Sequence, residues 1–279
     1  MDITIDKSTG LIAPSLATYK LKQGVAHRDI AGPDTIIIHY TAGVSGESSA
    51  NWLANPDSKV SAHVVIDRSG KIYQIIPFNK VAWHAGESSY GGRKNFNNFS
   101  VGIELDNAGY LQRAGSEYVS EYGKRYPASE VIEAKHRNES INRFWHTYTE
   151  AQILACQDLC MALRKTYSQI DQILGHDEIS PGRKQDPGPA FQMDRFRNRI
   201  LVNNRESETD EIDHKDAVGE VLADKLNIRS GPGTEFEKVA MPLPKKKSLT
   251  IKGERNGWYH VKVEVEGWVS KALVEKKVP

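Results

Sequence analysis

Short apolar runs rich in β-branched residues recur through the first two thirds of this 279-residue chain and restrict it to a sheet-based fold. TIII, residues 35–38, reads as a buried strand whose end delivers His39. HVVID, RSG and KIYQIIP, residues 63–77, read as two strands joined by a Gly-containing hairpin turn. SVGIEL at 100–105 and QILG at 172–175 add two more strands. The period changes at Thr149, which can N-cap a helix with Gln152 three residues on; Ile153, Cys156, Leu159, Cys160 and Leu163 then form a helical stripe. MDRFRNRIL, residues 193–201, returns to helix. The alternation predicts an α/β class, a sheet covered by helices.

Two stretches break the pattern. Residues 109–144 are polar and tyrosine-rich and are expected to form an inserted loop, with at most a short helix, bordering a groove. Residues 203–217, NNRESETDEIDHKDA, are almost wholly polar and read as a linker. Beyond them VLADKLNIRS, SLTIKGE, WYHVKVE and GWVSKALV alternate between turn signals, as in a small all-β barrel. The expected organisation is a first domain over 1–202, a linker over 203–217 and a second domain over 218–279.

Charge excludes one class of partner. Lys plus Arg at 37 nearly cancels Asp plus Glu at 36, which gives no support to nucleic-acid binding through a basic face. No apolar run approaches a membrane span, and MDITIDKSTGLIAPS lacks the basic and apolar regions of a secretory signal. The expectation is a soluble protein, cytoplasmic until lysis releases it. Cys156 and Cys160, four apart in the helical pattern, read as buried thiols because a bridge within one helix is geometrically poor.

The chemistry concentrates in GHDEISPGRKQDPGPAF, residues 175–191, which sets His176, Lys184 and Asp186 in one irregular loop. Either this histidine or His39 alone would be an ordinary packed residue. Together with Asp186, on a backbone stiffened by Pro181, Pro187 and Pro189, they look like an open metal site with a cation beside it. A plain helix-leading turn over DPGP remains the competing explanation.

TIIIHYTAG, SAHVVIDRSGKIYQIIP, VAWHAG, NNFSVGIEL and GHDEISPGRKQDPGPAF occur in this order. As a series they resemble the type 2 N-acetylmuramoyl-L-alanine amidases, the zinc family related to peptidoglycan recognition proteins. The resemblance implies a central mixed β-sheet flanked by helices and Zn2+ held by His39, His176 and Asp186. It further implies Glu104 as the catalytic carboxylate, Lys184 as the lysine near the metal, and hydrolysis of the amide between N-acetylmuramic acid and L-alanine. His63, Trp83, His84, Arg93 and Asn97 are expected to support or line the substrate groove. In short phage lysozymes and animal recognition proteins of the family a Tyr precedes the SAH-type histidine and the last ligand is Cys. Ala62 and Asp186 stand there in this chain, so it looks like the branch containing cell-wall recycling amidases and their outer-membrane relatives.

LNIRSGPGTEFEKV, the strand around Gly257, Trp258 and Tyr259, and GWVSKALV with Trp268 resemble bacterial SH3-like modules, which implies cell-wall binding. Trp258 and Trp268 could equally be core residues of the barrel. The combined expectation is an endolysin-like wall-degrading amidase. A non-catalytic recognition protein, a cytoplasmic muropeptide-recycling amidase and a zinc peptidase cutting within the stem remain alternatives.

Overall fold

The computed structural model describes residues 2–22, 32–202, 212–232, 236–255 and 258–264. The chain divides into two units, one made mainly of residues up to 207 and the other mainly of residues from 208 onward.

The first unit is built on a six-stranded sheet in the order Gln172–Gly175, Thr35–Tyr40, Ser100–Leu105, Val64–Ile66, Ile72–Gln74, Thr18–Tyr19. The first four of these strands run parallel and the hairpin pairs antiparallel, giving a mixed sheet. Side chains alternate across it. Ile36 and Ile38 join Ile103 against the helix Glu150–Thr166, which presents Cys156, Leu159, Cys160 and Leu163, together with Phe191 and Phe196. Ile37 faces the other way, with Ala85, Phe96 and Leu174. The expected capping box forms: Thr149 accepts from the Gln152 amide while the Gln152 side chain accepts from the Thr149 amide. Both cysteines are free and buried. The helix Gly46–Ala54, capped by Ser45, buries Ala50 and Leu53 against Val65 and Tyr73. Layers on both faces of the sheet match the expected architecture.

Residues 110–146 depart from the loop expectation. They form a five-stranded antiparallel sheet in the order Arg125–Pro127, Glu117–Val119, Tyr110–Ala114, Asn142–His146, Val131–Lys135. A small core of Ala108, Leu111 and Tyr126, with Tyr118, Val131 and Phe144 packed on it, holds this sheet together.

The second unit is all β among its described residues. Ile212–Glu220, Ser248–Arg255 and Trp258–Lys262 make a three-stranded antiparallel sheet, and Lys225–Leu226 pairs with Leu243–Pro244. The first strand begins inside the stretch expected as linker, and Ile212, Asp213 and Ala217 pair with the strand Ser248–Arg255 across a register shift. Trp258 is half-buried; Gly257 and Trp268 lie outside the described residues. No helix among the described residues is long and apolar enough to cross a membrane.

Candidate metal centre

Three adjacent parallel strands deliver the candidate residues to one edge of the sheet. His39 pairs in register with Glu104, and Gly175 pairs with Ile38, which sets His176 beside His39. The carboxyl ends of parallel strands are where ligands bind in open α/β sheets. Asp186 arrives on the loop that follows, its carbonyl accepting from the Asp177 amide at 2.8 Å.

His39 Nδ1, His176 Nδ1 and Asp186 Oδ2 meet as a triangle. The nitrogens are 2.9 Å apart, and the carboxylate oxygen lies 2.9 Å from His39 and 2.8 Å from His176. All three residues are buried. The hydrogen bonds on the far side of each ring assign its proton. His176 Nε2 faces the Ala85 carbonyl at 3.1 Å, so that nitrogen carries the hydrogen. Ser100 Oγ donates to the Phe96 carbonyl at 2.6 Å and therefore accepts from His84 Nε2 at 3.3 Å. His84 Nδ1 then accepts from His39 Nε2 at 3.0 Å. In neutral imidazoles this leaves both Nδ1 lone pairs and a carboxylate oxygen converging on one point. Three acceptors can share that space only around a positive charge, either a metal ion or a proton on one ring.

Burial first, and then the neighbouring His176, lower the pKa of His39 to about 4. Two neutral imidazoles and one carboxylate form a donor set suited to Zn2+ with a coordination position left open.

Glu104 stands next to the triangle with Oε2 buried and without a hydrogen-bond partner. Burial, reinforced by Asp186 and opposed by Lys184, pushes its carboxyl well above the usual range. Lys184 is half-buried and lines the same cleft of about 900 Å³ that opens over the triangle.

Gly102 permits the His84 relay. A Cβ there would lie 2.4 Å from His84 Cγ, so the ring can lie against the strand only because position 102 has no side chain. Asn97 holds the same loop from behind: its Oδ1 accepts from the amides of His84 and Ala85 at 3.0 and 2.8 Å. Asn97→Ala is expected to strand both amides and cost about 1–3 kcal/mol. That lowers Tm by about 2–4 °C per kcal/mol for a unit of this size, measurable in a thermal melt.

The expected groove residues divide accordingly. Trp83, 46% exposed, lines the cleft, and His84 lines it while orienting His39. Asn97 is buried behind the loop, where it holds the His84 and Ala85 backbone, and it does not line the cleft where a peptide contact was expected. Arg93 departs from the same expectation: its guanidinium pairs with Asp34 at 2.7 Å and covers the Phe99 ring at 3.8 Å, outside the cleft lining. His63 is also behind the site. Its Nε2 donates to the Lys80 carbonyl at 2.9 Å and its Nδ1 accepts from the Gly102 amide at 3.0 Å, joining the strand Ser100–Leu105 to the segment at Lys80.

Several cleft residues escaped the sequence reading. Trp52 is 59% exposed on the helix Gly46–Ala54, and Tyr122 is 65% exposed in the turn between the strands Glu117–Val119 and Arg125–Pro127. Arg183 donates to the carbonyls of Ala85 and Glu87, closing the loop around His176. A tryptophan beside buried leucine carries no sequence mark that separates groove from core.

The sequence profile described as N-acetylmuramoyl-L-alanine amidase matches residues 29–189, and the bacterial SH3 domain profile matches residues 224–275. The 1,6-anhydro-N-acetylmuramyl-L-alanine amidase AmpD of Salmonella typhimurium (strain SL1344) is 31% identical over 195 residues, covering 63% of this chain and 86% of that protein. The N-acetylmuramoyl-L-alanine amidase AmiD of Escherichia coli (strain K12) is 30% identical over 164 residues, covering 56% of this chain and 49% of that one. A solved complex of E. coli AmiD with anhydro-N-acetylmuramic acid-L-Ala-D-gamma-Glu-L-Lys aligns with a TM-score of 0.45 and 26% identity, over 70% of this chain and 64% of the other.

Proposed function

This chain belongs to the N-acetylmuramoyl-L-alanine amidase family, and on that premise we propose that His39, His176 and Asp186 hold a zinc ion that its amide hydrolysis requires. The bond hydrolysed joins the lactyl group of N-acetylmuramic acid to the L-alanine that begins the stem peptide of peptidoglycan. The single observation carrying the zinc assignment is the convergence of two imidazole lone pairs and a carboxylate oxygen on one buried point.

When bound there, zinc supplies Lewis acidity that polarises the amide carbonyl and brings the acidity of a water molecule to a pKa of about 7. The chain's own groups do the rest. Glu104, ionised, takes the proton of the attacking water and passes it to the departing amine. Its lack of a fixed hydrogen-bond partner leaves Oε2 free for that traffic. Lys184 stabilises negative charge on the carbonyl oxygen. The His84 relay and the Ala85 carbonyl keep the ligand imidazoles in the one tautomer that presents Nδ1. Trp83 and Trp52 offer apolar faces to sugar or peptide.

The second unit is proposed to bind cell wall, which raises the effective concentration of the first unit on a polymeric substrate. An insoluble wall gives such a tether a purpose that soluble muropeptides do not, so an endolysin-like role on the intact polymer is the favoured reading. Recycling of anhydro-muropeptides is the second reading, supported by the naming of the AmpD relatives.

Mass spectrometry of digested murein sacculi tests this. Intact stem peptides beginning with L-alanine should appear, stop appearing when a chelator strips the protein, and return when zinc is restored. Fragments cut within the stem, or undiminished cleavage after zinc is removed and shown absent, would refute the assignment. In the same samples the full chain should sediment with sacculi, and a chain ending at Val202 should remain in the supernatant.

A further inference from the structure

The inserted sheet meets the metal loop through one turn, in which Arg137 pairs with Glu178 and Glu139 accepts from the Gln185 side chain. The turn between its strands Val131–Lys135 and Asn142–His146 brings His136 against the segment 176–186. His136 is 1% exposed and stacks on Trp145 with ring centroids 5.6 Å apart. The Asn138 amide donates to its Nδ1 at 3.2 Å, so the ring's hydrogen sits on Nε2. That nitrogen lies 3.0 Å from Asp177 Oδ2 and 3.1 Å from the Gln185 carbonyl. One N–H is thus shared between the residue after His176 and the residue before Asp186. Asn138 adds a second tie, its Nδ2 donating to the Asp177 carbonyl at 3.0 Å.

We propose that His136 is a positioning residue for the metal centre, fixing the separation of His176 and Asp186 by bonding to the neighbours of both. The inserted sheet then belongs to the site itself, since removing it would release the loop that carries two of the three ligands. Within the loop the Asp177 amide donates to the Asp186 carbonyl, the Ser180 amide to the His176 carbonyl and the Lys184 amide to the Ser180 carbonyl, and Arg183 ties it to the carbonyls of Ala85 and Glu87. Nine residues separate the two ligands, and of these bonds only the one between Asp177 and Asp186 joins backbone beside one ligand to backbone of the other. The His136 and Asn138 bonds hold both ends from outside the loop. Asn138 and Glu139 of the same turn also line the cleft, so the segment that steadies the ligands forms part of the wall that meets substrate.

The inference rests on the zinc assignment, and its test separates the two. Zinc affinity is measured by competition with a chromophoric chelator, and ligand geometry by the visible spectrum of cobalt-loaded protein. His136→Phe keeps a ring over Trp145 but has no donor; His136→Gln returns an N–H at similar reach. The Phe variant should bind zinc about 10- to 100-fold more weakly and show shifted cobalt bands, with Gln recovering most of both. Asn138→Ala should give a smaller loss in the same direction, and it carries the test alone if the Phe variant does not fold. Wild-type affinity and spectrum in His136→Phe, or in Asn138→Ala where that stands alone, would overturn the proposal. So would a loss that Gln fails to recover. Wild-type protein that takes up no zinc would overturn the functional reading on which the proposal rests.

Discussion

Glu104→Gln is expected to lower the rate of amide cleavage by about 10²- to 10⁴-fold, the span over which a positioned acid or base contributes. The substitution keeps shape and volume beside the triangle, and Glu104 bonds to none of the three candidate ligands, so zinc content should match that of the unaltered protein. Loss of zinc together with activity would give Glu104 a structural role and remove it from the chemistry. The pH profile adds a second reading. A base acts only when ionised; in the metal-free protein, burial with Asp186 nearby raises the Glu104 carboxyl above its ordinary 4.5. Cleavage should therefore rise with pH through that ionisation, and the residual rate of the glutamine variant should lack this limb. Stability moves in the opposite sense. A carboxyl whose folded pKa is raised binds its proton more tightly when folded than when unfolded. In metal-free protein its favourable contribution is fully present below 4.5 and is lost as pH rises toward the raised value. Denaturant midpoints of the metal-free protein across that range should show the decline, and the variant should show less of it.

What could be read from the sequence followed burial. The runs TIII, SVGIEL and QILG are apolar because helices or loops cover both faces of the sheet, and each ends where the apolar character stops. His39, Glu104 and His176 stand at those ends, so the same pattern that marked the strands marked the edge carrying the chemistry. Directions were not readable. Arg93 and Asn97 flank the strand that holds Glu104, but sequence proximity does not say which side of a loop meets solvent. The bidentate pairing with Asp34 and the two amides bonded to Asn97 are contacts between residues more than ten positions apart. The inserted sheet was hidden for a different reason. Strands such as YLQRA and VIEAK bury only a few side chains against a small core, so polar residues dilute the alternation that would announce them. His136 was invisible with it, because nothing local in KHRNES indicates a partner at Asp177, some forty residues away. The stretch 212–217 is as polar as any linker, yet its backbone pairs with the strand Ser248–Arg255. Composition reports what side chains avoid and leaves backbone pairing undetermined.

Asp186→Ala separates a metal centre from a buried ion pair, because the two predict different dependences on zinc. Removing one member of a buried pair typically costs about 3–5 kcal/mol, since the surviving charge is left without compensation. That penalty needs a partner that cannot discharge. The partners here are imidazoles: His39 already loses its proton at about 4, and without the carboxylate beside it the charged form is less favoured still. In the variant each ring keeps its N–H bond, His39 to His84 and His176 to the Ala85 carbonyl. The metal-free variant should therefore melt close to metal-free wild type, within about 2 kcal/mol, less than the typical penalty for a broken buried pair. With zinc at 100 to 1,000 times its dissociation constant, wild type should gain about 2.7–4.1 kcal/mol and the variant almost none. Amide cleavage should vanish in the variant at the same metal concentration. Melts recorded with chelator and with zinc, for both proteins, give the four numbers required. A loss near 4 kcal/mol in the metal-free state, joined to an unchanged response to zinc, would mean that Asp186 holds the histidines and not an ion.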